Sequence, residues 1–154
     1  MDKNYTYEML EPIIREKIKM GAEVTIYPKG ISMLPLIREG KDVVVLKALK
    51  NRAKKYDIVY YKRRNGKFVL HRIVKVKKNS YVLCGDNQVD YEYGVTDDMI
   101  IAVMSKIKRD GKTYCVDDKE YIDFTKRYML KYHILRFYKR IKRLIIRAIK
   151  KLYK

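Results

Sequence analysis

Three groups of residues in this 154-residue chain could do chemistry together. The first is Ser32, in the run Gly30-Ile31-Ser32-Met33-Leu34-Pro35. Gly30 permits backbone angles barred to other residues, and Pro35 fixes φ and removes an N–H. The serine therefore sits on a tight, pre-set corner after the β-rich run Val24-Thr25-Ile26-Tyr27. A nucleophilic serine needs that placement, with Oγ exposed and its own N–H free to donate. The second group is His71, inside Val69-Leu70-His71-Arg72-Ile73-Val74. Imidazole titrates near neutral pH and suits a general base, and in an apolar strand it also needs a polar partner. The third is Gly85-Asp86-Asn87-Gln88-Val89-Asp90, where Asp86 or Asp90 could fix the tautomer of the imidazole. Each group taken alone also reads as plain structure: a turn, a satisfied core histidine, the end of a strand. The other histidine, His133, lies in a basic helical run and reads as an ordinary helix residue.

The elements that must position these groups are mostly strands. Residues 5–20 read as a helix, with Leu10, Ile13, Ile14 and Ile18 at helical spacing and Gly21 as its stop. From 22 to about 108 short β runs alternate with tight turns: 23–27, 43–46, 56–61, 68–76, 81–84 and 99–104. Asn65-Gly66 and Asp110-Gly111 are hairpin signals, and 85–98 reads as a polar, acidic loop. A hairpin between 68–76 and 81–84 makes His71 and the 85–90 loop neighbours. The pattern predicts a mostly β (α+β) protein, an antiparallel sheet coiled into a partly closed barrel. It is divided into an N-terminal helix at 1–21, a β domain at 22–117 and a helical tail at 118–154.

Charge is unevenly spread. Lys and Arg number 37 against 18 acidic residues, and none of the acids lies after Asp123. Residues 126–154 hold 12 Lys or Arg; the rest of the chain has 25 against 18, a net +7. The tail should therefore seek anionic surfaces. Leu135, Tyr138, Ile141, Ile145, Ala148, Ile149 and Leu152 recur at three or four residues within it, as in a helix that lies on an anionic membrane. Nucleic acid is the weaker expectation, because no DNA- or RNA-binding motif accompanies the charge. A third reading packs the helix on its own domain or a partner. Cys84 and Cys115 have no metal or redox spacing, so two plain thiols, no metal and no cofactor are expected. No run is long enough to span a membrane, and Met-Asp-Lys-Asn-Tyr lacks the apolar core of a secretory signal. These features predict a cytoplasmic chain, peripheral to the inner face of the membrane.

In order, Gly30-x-Ser32-Met33-x-Pro35, Gly40-x-Asp42, Asp57-Ile58-Val59, His71-Arg72-Ile73-Val74 and Gly85-Asp86-Asn87 resemble the signal peptidase I and LexA-type serine peptidase superfamily. The resemblance covers roughly residues 22–108 and is closest to the members that carry His rather than Lys as base. It implies the fold of that superfamily, Ser32 as nucleophile, His71 as general base, and Asp86 or Asp90 as the orienting carboxylate. It also implies an extended peptide bound along residues 24–29, with Tyr27, Gly30, Met33 and Pro35 in substrate contact. Three departures stand out: no N-terminal span, Gly30 where many signal peptidases have a hydroxyl for the oxyanion, and a shortened loop with Asp90 followed by Tyr91. The expected function is a serine endopeptidase. Two alternatives are a peptide-binding module that has lost catalysis, and a self-cleaving regulator, for which about 20 residues ahead of the β domain are too few.

Overall fold

Apolar residues at three- and four-residue spacing form α1 (Tyr7–Lys19), which buries Ile14 and Ile18. Its end is closed by the N–H of Gly21 on the Ile18 carbonyl and that of Ala22 on the Lys17 carbonyl, both 3.0 Å. We describe residues 7–152 of the chain from a computed structural model.

The β runs form eight strands: β1 (Val24–Ile26), β2 (Val43–Lys47), β3 (Ile58–Lys62), β4 (Phe68–Val76), β5 (Tyr81–Cys84), β6 (Glu92–Val95), β7 (Ile100–Arg109) and β8 (Lys112–Cys115). They make one antiparallel sheet in the order β1-β2-β7-β3-β4-β5-β6, with β8 paired to the far end of β7. The 85–98 stretch is not all loop: β6 emerges from it and pairs with β5.

The sheet does not close into a barrel. Its path ends at β1 and β6, which are not paired to each other. The reason lies in what covers its faces. Alternate residues of β3 feed two separate cores: Ile58 and Tyr60 join one, Val59 and Tyr61 the other. The first core is roofed by Ile14 and Ile18 of α1 and by Tyr121, the work a returning strand would do in a barrel. Glu11 receives a 2.6 Å hydrogen bond from Lys62 Nζ, which pins α1 to β3.

Tyr121 opens the docked face of α2 (Lys119–Leu152), a single helix through most of the basic run. Tyr121, Thr125, Met129, Tyr132 and Arg136 recur at three or four residues and are buried, so the first half of α2 belongs to the β body. His133 is helical in backbone, but its side chain, like Lys154, lies outside the described residues.

Candidate active site

Ser32 and His71 line one cavity of about 270 Å³, together with Gly30, Met33, Arg63 and Gln88. Gly30 has φ of 86°, a left-handed angle that a side chain would strain, and it aims the chain into the serine corner. A hydrogen-bonded turn follows across the cis Leu34–Pro35 bond, with the Ile37 N–H on the Met33 carbonyl at 2.9 Å. Met33 is buried beneath the corner while Ser32 stays half-buried. The Ser32 N–H has no backbone acceptor among the described residues.

The loop after β5 holds the corner from the other side. The Asn87 N–H donates to the Ser32 carbonyl at 2.8 Å, and Asn87 Nδ2 to the Ile31 carbonyl at 3.2 Å. Gly85 is required by contact: a Cβ built there would stand 2.6 Å from the Ser32 carbonyl oxygen. The loop is braced in turn by α2. Tyr132 Oη lies 2.7 Å from the Gln88 carbonyl and 3.2 Å from that of Gly85, and Tyr128 Oη donates to the Asp86 carbonyl at 3.1 Å.

His71 sits on β4 opposite Val59 of β3, on the same sheet face as Tyr61, and is 2% exposed. Its Nδ1 lies 3.3 Å from Tyr61 Oη and 3.8 Å from Glu92 Oε2. Tyr61 donates its proton to Glu92 Oε2 at 2.6 Å. Arg63 closes the far side of that carboxylate with bonds of 2.8 and 2.5 Å. Burial, with the Glu92 carboxylate beside it, raises Tyr61 beyond the usual phenol range, so it keeps that proton. Its oxygen therefore presents lone pairs to the imidazole, and Nδ1 carries the ring hydrogen. Nε2 is left as the basic nitrogen. Burial, reinforced by the Arg63 cation, lowers the imidazole from 6.5 to about 4, while Glu92 and Asp86 pull the other way. The ring is neutral at pH 7.

Neither expected orienting aspartate reaches the imidazole. Asp86 gives both carboxylate oxygens to Arg72, at 2.8 and 2.7 Å, because a buried guanidinium beside the sheet needs a counter-charge. Asp90 points outward to Arg143 at 2.7 Å and is 79% exposed. The carboxylate nearest the ring is that of Glu92 on β6, which the loop reading of 85–98 concealed; the Tyr91-Glu92-Tyr93 run beside Val95 was its only strand signal. Two expected substrate contacts also lie off the cavity. Tyr27 is exposed beyond β1, and Pro35 lines a separate apolar recess with Tyr121, Phe124 and Tyr128. No hydrogen bond joins Ser32 Oγ to His71 among the described residues. In unliganded sites such bonds commonly form only with substrate in place. No three His, Cys, Asp or Glu residues group as a metal site among the described residues.

Compared with known proteins, the chain matches no family model, no curated protein and no solved structure.

Proposed function

We propose that this protein is a serine endopeptidase that works through Ser32 and His71. The observation that carries the reading is their meeting in one cavity, with His71 Nδ1 held by Tyr61 and so Nε2 basic. The ordered resemblance to signal peptidases and LexA-type peptidases supports it, and assigns the same two residues. Ser32 Oγ attacks a peptide carbonyl as His71 Nε2 takes its proton. The Ser32 N–H donates to the oxyanion, a larger share of the work than where a hydroxyl stands two residues earlier. The imidazolium protonates the leaving amine, and water then releases the acyl group by the same route in reverse. Glu92, through Tyr61, takes the orienting place expected of Asp86 or Asp90.

Peptide enters as an added strand. β1 ends the sheet path, and its last residue Ile26, with Pro28 and Lys29 beyond it, lines the cavity. Main-chain bonding along β1 delivers a carbonyl to the serine corner.

Wild type and Ser32→Ala, incubated with a diverse peptide library and read by mass spectrometry for new termini, test this directly. Cleavage that depends on Ser32 is expected. A peptide-binding module of the same architecture is the second reading, since the edge at β1 can hold an added strand with or without cleavage. Retention of library peptides by both proteins, with no new termini, establishes it instead. Intact-mass measurement over the same time course registers any self-cleavage.

A further inference from the structure

The structure assigns the outward face of α2 to the surface of an anionic lipid bilayer. The inference does not depend on the peptidase reading. The face that docks α2 on the sheet runs through Tyr121, Thr125, Tyr132 and Arg136. The opposite face carries Leu130, Ile134, Phe137, Ile141, Leu144 and Ile145, again at three- and four-residue spacing. These six are between 41% and 70% exposed. Past Arg136, a 2.7 Å bond from Arg143 to Asp90 ties α2 to the body, so the stripe projects with nothing of its own chain over it among the described residues.

Charge selects the occupant. Residues 126–154 contain 12 Lys or Arg and no acid, so basic side chains such as Arg140 and Lys142, which border the stripe, meet no acid from their own stretch. A second copy laid against it would bring two strongly cationic helices together, and like charges repel. Duplex phosphates would satisfy the cations and leave the Leu and Ile side chains in water. An anionic bilayer meets both demands: the apolar stripe enters the headgroup–acyl boundary and the cations meet lipid phosphates. No helix among the described residues is long and apolar enough to cross a membrane, so α2 lies along the surface.

The test is flotation of the full chain with vesicles of phosphatidylglycerol mixed with phosphatidylcholine, and with vesicles of phosphatidylcholine alone. The variant Ile141→Asp/Ile145→Asp changes only exposed positions, and circular dichroism checks that it keeps its helix. Binding to the anionic vesicles is expected, weaker by about tenfold or more on neutral ones and by about tenfold or more in the variant. Unchanged binding by the variant overturns the proposal, because the stripe would then not enter lipid. Binding to duplex DNA without binding to vesicles overturns it in favour of nucleic acid. A stable dimer that fails to bind vesicles, and that the variant dissociates, overturns it in favour of a second copy.

Discussion

Arg72 and Asp86 form a buried, bidentate ion pair, with side chains 1% and 2% exposed, that joins the strand of the histidine to the loop that grips the serine. His71 precedes Arg72 in β4, and Asn87, which follows Asp86, holds the Ser32 carbonyl. The pair links the strand that carries His71 to the loop that holds Ser32, and its hydrogen bonds go to neither of those side chains.

Asp86→Asn should therefore behave as a folding lesion. It leaves the Arg72 guanidinium buried with no counter-charge, which costs about 3–5 kcal/mol. Urea unfolding should show a lower midpoint, and Arg72→Met/Asp86→Leu, which removes both charges, should recover much of the loss. A midpoint equal to wild type for Asp86→Asn contradicts the bracing role.

The imidazole's own anchor is a separate matter. Tyr61→Phe keeps the buried ring and removes the hydroxyl that faces Nδ1. Peptidase kcat should fall about tenfold or more with KM little changed, since only the base loses its orientation. Glu92→Gln should act in the same direction. Nitrogen NMR of His71 should show the Nδ1–H tautomer in wild type and a mixture in Tyr61→Phe, a readout that needs no substrate. Asp90→Asn, at an exposed ion pair, should stay within about twofold of wild type.

How much of this was visible beforehand varies by element. Gly30 and Pro35 announced the serine corner because backbone restrictions are local. The β runs at 56–61 and 68–76, with Asn65-Gly66 between them, place His71 on a strand for the same reason. Glu92 was hidden because its partners, Tyr61 and Arg63, stand about thirty residues away in sequence and reach it only through the β5–β6 pairing. Asp86 misled because a carboxylate near a histidine in sequence was spent on Arg72, a charge that only burial makes expensive. The tail's helical periodicity is legible from Leu135 onward, but the grip of Tyr128 and Tyr132 on the 85–88 loop is not, since that contact is tertiary.

Gly85→Ala tests the grip on the serine. The added Cβ would stand 2.6 Å from the Ser32 carbonyl oxygen and 3.1 Å from the Gln88 side chain. Backbone must move, and a displacement of this kind at a nucleophile costs about a hundredfold in rate. Stability should fall less, by about 1–3 kcal/mol. Wild-type kcat in this variant would show that the loop does not set the position of Ser32.

The pH profile follows from the buried imidazole. Burial first, then Arg63, lowers His71 from 6.5 to about 4 in the folded chain. The unfolded chain binds a proton on this histidine as pH falls through 6.5, and the folded chain does so only near 4. Between those values the unfolded state holds more protons, so stability declines as the medium acidifies. The full span is worth about 3 kcal/mol, present above pH 6.5 and gone below about 4. His71→Gln should flatten this part of a stability-against-pH curve measured by urea unfolding. The same shift keeps the base unprotonated in mild acid, so the acid limb of kcat/KM should fall well below 6.5, toward 4. A limb at 6.5 would mean that His71 titrates as if exposed, and that the arrangement around Tyr61 and Glu92 does not hold in solution.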